Sequence, residues 1–154
     1  MNKFITKALG ILLVFTIAYF GNRALQSYLG AQAKQDVGFE ILSLEDGLKQ
    51  AKKDNKLILA NYSAIWCPSC RKLDKQVFAD ERVYSTIASN FIFVLVDHDS
   101  DEGKDFAKKF DIAGFPRVLL LNQGGEKLSE LPLSFDPDQY KANLQNVLMA
   151  FPPS

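Results

Sequence analysis

Uncharged apolar runs alternate along the chain with segments whose apolar residues recur every three to four positions. The first run, Ala8 to Phe20, has no polar interruption beyond Thr16. LILANY (Leu57 to Tyr62), FIFVLV (Phe91 to Val96) and VLLL (Val118 to Leu121) are shorter apolar stretches. Their length and uniformity predict strands buried on both faces, as in a sheet sandwiched between helices. Between them the spacing predicts helices. One opens at Ser43-Leu44-Glu45-Asp46, which has the form of a capping box, and runs towards Asn55. Others run through Leu73 and Val77, through Val83 and Ile87, and from Asp101 to Phe110. Gln123-Gly124-Gly125 predicts a turn, and Glu126 to Leu131 a short strand. Asp136-Pro137 then opens a last helix, with aspartate at the N-cap and proline at N1. The alternation predicts an α/β domain, a central mixed sheet with helices on both sides.

Flanking residues change the reading of the first run. Lys3 and Lys7 precede it, and Ala31 and Ala33 follow in an A-x-A arrangement, the layout of an export signal. The run itself is 13 residues, shorter than the ~20 of a membrane span. Phe4 to Lys7 and Gly21 extend it to a span over residues 4–21, with the lysines holding the N-terminus in the cytoplasm. The A-x-A lies far beyond the run, which favours an anchor; a cleaved signal and an apolar helix of the fold itself are the alternatives. Residues 1–33 are therefore read as signal peptide or membrane anchor, with a polar linker around Gln32 to Gly38. Residues 34–154 are read as the α/β domain. The expected location is periplasmic or extracytoplasmic, either soluble after cleavage or tethered to the inner membrane.

Charge excludes one class of partner. The chain carries 18 basic and 18 acidic residues, and removing Lys3, Lys7 and Arg23 leaves the rest 15 against 18, a net of −3. A mildly acidic body without a basic cluster argues against nucleic-acid binding, which needs Lys/Arg patches.

Both cysteines lie in AIWCPSCRK, Cys67 and Cys70, two residues apart. They sit after a predicted buried strand and at the start of a predicted helix, where unsatisfied N–H groups favour a thiolate. Pro68 suits N1, and Cys70, one turn on, is expected to be more covered and placed to attack a mixed disulfide on Cys67. Arg71 and Lys72 are expected to point to solvent. Two other readings compete. Structural zinc takes four Cys/His ligands, and the chain offers these two cysteines and His98; a c-type haem needs CxxCH, and position 71 is arginine. A static disulfide across so small a loop removes little unfolded-state entropy. The placement favours redox over staple and metal. VDHDSDEG (Val96 to Gly103) has alternate aspartates, but Glu102 and Lys108 stand where a calcium loop needs glycine and glutamate. A strand end meeting a helix N-terminus accounts for the acids, and His98 is expected to be exposed and idle.

WCPSC after a buried strand, with Phe115-Pro116 some fifty positions later before another strand, resembles the thioredoxin superfamily over roughly Phe39 to Phe151. The run C-x-x-C-R-K-L-D-K-Q-V-F-A-D-E-R-V is similar to the C-terminal domain of the DsbD disulfide-interchange reductases and to small exported thioredoxin-like proteins. The resemblance implies a thioredoxin-like fold and an exported thiol–disulfide oxidoreductase that needs no cofactor. Cys67 and Cys70 would be catalytic. Pro116 would be a cis-proline, and Trp66, Phe115 and Pro116 would meet the substrate chain, with Pro68 and Ser69 setting the environment. Implied partners are protein disulfides and a membrane or periplasmic electron donor. Disulfide oxidase or isomerase chemistry, and a non-catalytic copper- or zinc-binding or interaction module on the same fold, are the alternatives. One position departs from the pattern. Six residues before Cys67, where many relatives carry a buried aspartate, stands Asn61, which accepts no proton at physiological pH.

Overall fold

Ile58, Ala60 and Tyr62 alternate along one strand with Leu59, Asn61 and Ser63, and the two sets face opposite helical layers. The computed structural model describes residues 3–152. Residues 1–2 and 153–154, which begin and end the two expected segments, lie outside the described residues, as do the side chains of Lys3, Phe4, Thr6 and Asp36. The elements are α1 (Lys3–Val37), α2 (Leu44–Asp54), β1 (Leu57–Ser63), α3 (Pro68–Leu73), α4 (Glu81–Asn90), β2 (Phe91–Asp97), α5 (Asp101–Phe110), β3 (Arg117–Leu121), β4 (Lys127–Leu131) and α6 (Pro137–Ala150). A π-helical turn, Asp74–Phe78, joins α3 to α4.

The sheet order is β2-β1-β3-β4. β1 pairs β2 in parallel, Asn61 opposite Leu95, and pairs β3 antiparallel, Asn61 opposite Val118. β1 is thus central and buried on both faces, which explains its uniformly apolar sequence. On one face Ile58, Ala60 and Tyr62 pack with Ala51 of α2 and Phe106 of α5. On the other, Leu59 packs with Leu73, Val83, Tyr140 and Leu144 from α3, α4 and α6. The expected mixed sheet between helical layers is the observed one. The caps hold as well. Ser43 Oγ accepts from the Asp46 N–H at 3.1 Å, and Asp136 caps α6 by accepting from the Asp138 N–H at 3.0 Å, with Pro137 in the first turn.

The N-terminal segment departs from expectation. Gln32 to Gly38 does not form a linker: α1 continues unbroken to Val37. Gly30, Ala33 and Val37 recur at helical spacing and are buried against the domain, while Gln32 and Gln35 face out. The polar residues that read as a linker are the outer face of an amphipathic half-helix. The other half is different. Every described side chain from Lys7 to Asn22 is exposed although the stretch is almost wholly apolar.

Gly30 is what lets the two parts meet. A Cβ there would lie 1.8 Å from the Ile65 carbonyl oxygen, in the loop that leads into the cysteines. Gly30→Ala gains about 1 kcal/mol of helix propensity but forces a backbone clash, and overpacking costs roughly 1–3 kcal/mol. The clash should win: α1 is expected to lift from Ile65, with a lower urea midpoint and a changed Trp66 emission.

Candidate active site

β1 ends at Ser63, and a tight turn follows in which the Cys67 N–H bonds the Ala64 carbonyl at 3.0 Å. Cys67 is the N-cap of α3, with Pro68 in the first turn. Its Sγ accepts the Cys70 N–H at 3.1 Å, so the cap that satisfies the helix end is the first sulfur itself. Both cysteines are free thiols. Pro68 and Ser69 between them are exposed. The expected contrast in cover is small, because Cys67 is 6% and Cys70 2% exposed.

A rim of rings covers the pair. Phe115 and Trp66 pack on Ala64, Cys67 and Cys70, meeting edge to face at 5.4 Å. The Phe115–Pro116 peptide bond is cis, and Pro116 is buried. His98 is neither exposed nor idle. Its Nδ1 is 2.6 Å from the Tyr62 hydroxyl, and its ring lies 4.8 Å from Phe115. Asp99 accepts from Trp66 Nε1 at 2.7 Å, which fixes the indole. Among the described residues, no group of three or more His, Cys, Asp or Glu side chains is placed to hold a metal ion.

α1 adds contacts that local sequence patterns did not signal. Arg23 lies over the Trp66 ring at 4.7 Å and pairs with Asp99 at 3.1 Å. Arg71 donates to Gln26 Oε1 at 2.6 Å, so it is held against α1 and does not point freely to solvent. Lys72 is exposed as expected, and its Nζ sits 4.5 Å from the Phe135 ring.

Beneath the pair is a polar column. Burial, then the contact with Cys67, pushes the Cys70 thiol up to about 12; the Ala64 backbone and the Ser63 hydroxyl work the other way. Asn61 is buried, and its Oδ1 has no hydrogen-bond partner among the described residues. One turn beyond Cys70 lies Asp74, the only buried charged residue among those described, 4% exposed. Residues four apart on a helix stack on one face, and residues two apart on a strand share a face. Cys70 meets the Ser63 hydroxyl, and Asp74, four residues on, is buried on the same side of the helical run. Asp74 and Asn61 line a cavity of about 20 Å³ with Lys34 of α1, room for a single water. Burial raises the Asp74 carboxyl to about 6, and the Lys34 charge pulls it down. Asp74 escaped the sequence reading, though its place four residues after a cysteine expected to be covered was the signal that it too faces inward.

With this geometry in hand, the comparisons with known proteins agree with one another. A family model described as a thioredoxin-like domain matches residues 44–148. The chain is 27% identical over 93 residues to the thiol:disulfide interchange protein DsbD of Colwellia psychrerythraea, covering 58% of this chain and 15% of that protein. It is 33% identical over 99 residues to thioredoxin H9 of Arabidopsis thaliana, covering 64% and 66%. Among solved structures, a thioredoxin from Thermus thermophilus superposes with a TM-score of 0.64 at 20% identity, covering 71% of this chain and 86% of that one.

Proposed function

We propose that the chain, which belongs to the thioredoxin-like domain family, is a thiol–disulfide oxidoreductase that reduces protein disulfides through Cys67 and Cys70. The observation that carries the reading is the Cys67 sulfur at the head of α3, accepting the Cys70 N–H and rimmed by Trp66 and Phe115. The Cys67 thiolate attacks one sulfur of a substrate disulfide, and the other sulfur leaves as a thiolate that takes up a proton. Cys70 then loses its proton and attacks Cys67 Sγ. The substrate's second sulfur is released, and two electrons have passed from the pair to the substrate. A dithiol donor restores the pair by the reverse exchange. Phe115 and Pro116 present a backbone edge to the substrate chain, and Trp66 forms the opposite wall. Pro68 and Ser69, exposed between the sulfurs, face the incoming substrate.

Cys70 needs a base, since its thiol is held far above neutrality. Asn61 cannot serve, so the role falls to Asp74, the buried carboxyl on the same face of the same helical run. With a value of about 6 it is ionised at neutral pH and ready to accept the proton as Cys70 attacks.

The reductive direction is supported by the likeness to DsbD, of which this chain spans 15%. Export and tethering are supported by α1. A helix apolar all round is stable only inside a core or a membrane, and the exposed stretch up to Phe20 touches no core. By length and composition α1 can cross a membrane. The reading is a periplasm-facing domain held to the inner membrane by a retained helix.

The test is the reduction potential of the pair together with turnover of a disulfide-bonded protein under dithiol recycling. A potential near that of thioredoxin, about −270 mV, is expected. One near about −120 mV would reverse the direction, and a dithiol form that exchanges with no disulfide would overturn the chemistry.

A further inference from the structure

We infer that α1 is a rigid strut that fixes the Cys67 rim at the level of the lipid headgroups, and that the exchange partner is a membrane-embedded protein carrying its disulfide at that level. The inference rests on the retained-anchor and oxidoreductase readings above. It starts from the absence of a hinge. α1 is one helix from Lys3 to Val37, and its second half is fastened to the domain, the active-site loop included, at successive turns. Ala33 and Val37 are buried; Gly30 meets Ile65 with no room for a methyl group; Gln26 takes a hydrogen bond from Arg71; Arg23 stacks on Trp66 and pairs with Asp99.

The apolar half ends just where these contacts begin. Phe20 is the last residue of the apolar run, and Arg23 is the next charge. At 1.5 Å per residue the two are about 4.5 Å apart along the axis. The uncharged run from Ala8 to Phe20 is 13 residues, and even counted from Phe4 the stretch only reaches the short end of the ~17–25 residues that span a bilayer, so it has no apolar length to spare, and Arg23 comes out at the headgroups. Trp66, stacked on Arg23, comes with it, and Cys67 is the next residue. The tether is therefore no flexible leash that lets the site sweep a large volume.

The surface at that level is built for a partner lying alongside the anchor. A groove of about 300 Å³ is lined by Tyr19, Asn22, Arg23 and Gln26 of α1 and by Trp66 and Pro68 of the site. A segment entering it touches the anchor helix and the cysteine loop together. A folded soluble protein of 100 residues, with a radius of gyration of about 13 Å, has the bilayer in its way there. A loop emerging from the same membrane does not.

Trp66 is the only tryptophan, which makes the placement directly measurable. The full chain is reconstituted into phosphatidylethanolamine–phosphatidylglycerol vesicles carrying nitroxide lipids labelled at the headgroup or at the acyl-chain end. The headgroup label is expected to quench Trp66 and the chain-end label to leave it bright. Inserting seven polar helix-forming residues between Asn22 and Arg23 lengthens the strut by about 10 Å while turning the domain by only ~20°, and should abolish the quenching. In the same vesicles, the insertion should abolish reduction of a transmembrane peptide with a disulfide loop at headgroup depth, and leave reduction of a small water-soluble disulfide unchanged. No headgroup quenching in the unaltered chain, or equal peptide reduction with and without the insertion, overturns the inference. Failure to reduce either disulfide strikes the oxidoreductase reading instead, and the quenching then still decides the placement.

Discussion

Cys67→Ser is expected to lower disulfide reduction to the uncatalysed background, whereas Cys70→Ser should stop the reaction halfway. The two outcomes differ because the two sulfurs hold different positions. Cys67 heads α3 next to the exposed Pro68 and Ser69, and packs against Phe115. Cys70 is the more covered of the two, one turn inside. Serine at position 67 still caps the helix, since its hydroxyl accepts an N–H, so the variant should keep its fold while lacking the nucleophile. Serine at position 70 leaves the first attack intact and removes the second, so substrate should accumulate covalently on Cys67. Gel electrophoresis without reductant, with a disulfide-bonded protein as substrate, reads both results. Turnover by Cys67→Ser, or no trapped adduct with Cys70→Ser, would reverse or refute the assignment.

Much of this arrangement is legible in the chain because its signals are local. The runs of β1 and β3 are apolar because central strands bury both faces and leave no polar alternation; β2 lies at the sheet edge, yet Phe91 and Phe93 pack into one core and Ile92, Val94 and Val96 into the other. Ser43 and Asp136 stand at helix starts because the residues that accept a free N–H are few. Cys67 and Cys70 are placed by the strand before them and the proline between them. What stayed hidden depends on contacts distant in sequence. Nothing local tells that Arg23 meets Asp99, 76 residues away, or that the Tyr62 hydroxyl holds His98, 36 residues away. The apparent linker at Gln32 to Gly38 misled because Gly30, Ala33 and Val37 form a narrow stripe of small residues. Close approach of backbones, which Gly30 permits against Ile65, leaves no run of large apolar side chains to read. Asn61 was legible as a departure from pattern, but its consequence was not, since the buried carboxyl proposed to take its place lies on another element.

That carboxyl yields the second large effect: Asp74→Asn should make the protein more stable and less active. In the folded protein burial raises Asp74 from an ordinary value of 3.8 to about 6. Below pH ~4 the acid is protonated in both folded and unfolded states, and its titration costs nothing. As pH rises from there the unfolded chain releases the proton first, so stability falls until the folded carboxyl also ionises near pH 6. The gap corresponds to at most about 3 kcal/mol. Asparagine keeps the shape of the neutral acid and cannot ionise, so the urea midpoint should rise at pH 8 and be nearly unchanged at pH 4. Among the described residues, Lys34 from α1 is the titratable side chain that lines the cavity with Asp74. Lys34→Met should move the Asp74 transition upward, because the lysine charge is what pulls it down. Activity should move the other way. Resolution of the mixed disulfide should accelerate through pH 6 in the unaltered protein and lose that rise in Asp74→Asn, with a rate at pH 7 lower by roughly 10²-fold, the lower end of general-base contributions. A residue needed only for packing would lose stability on substitution and leave the pH profile in place. A buried acid kept for its proton does the reverse, trading folding free energy for the step that frees the product.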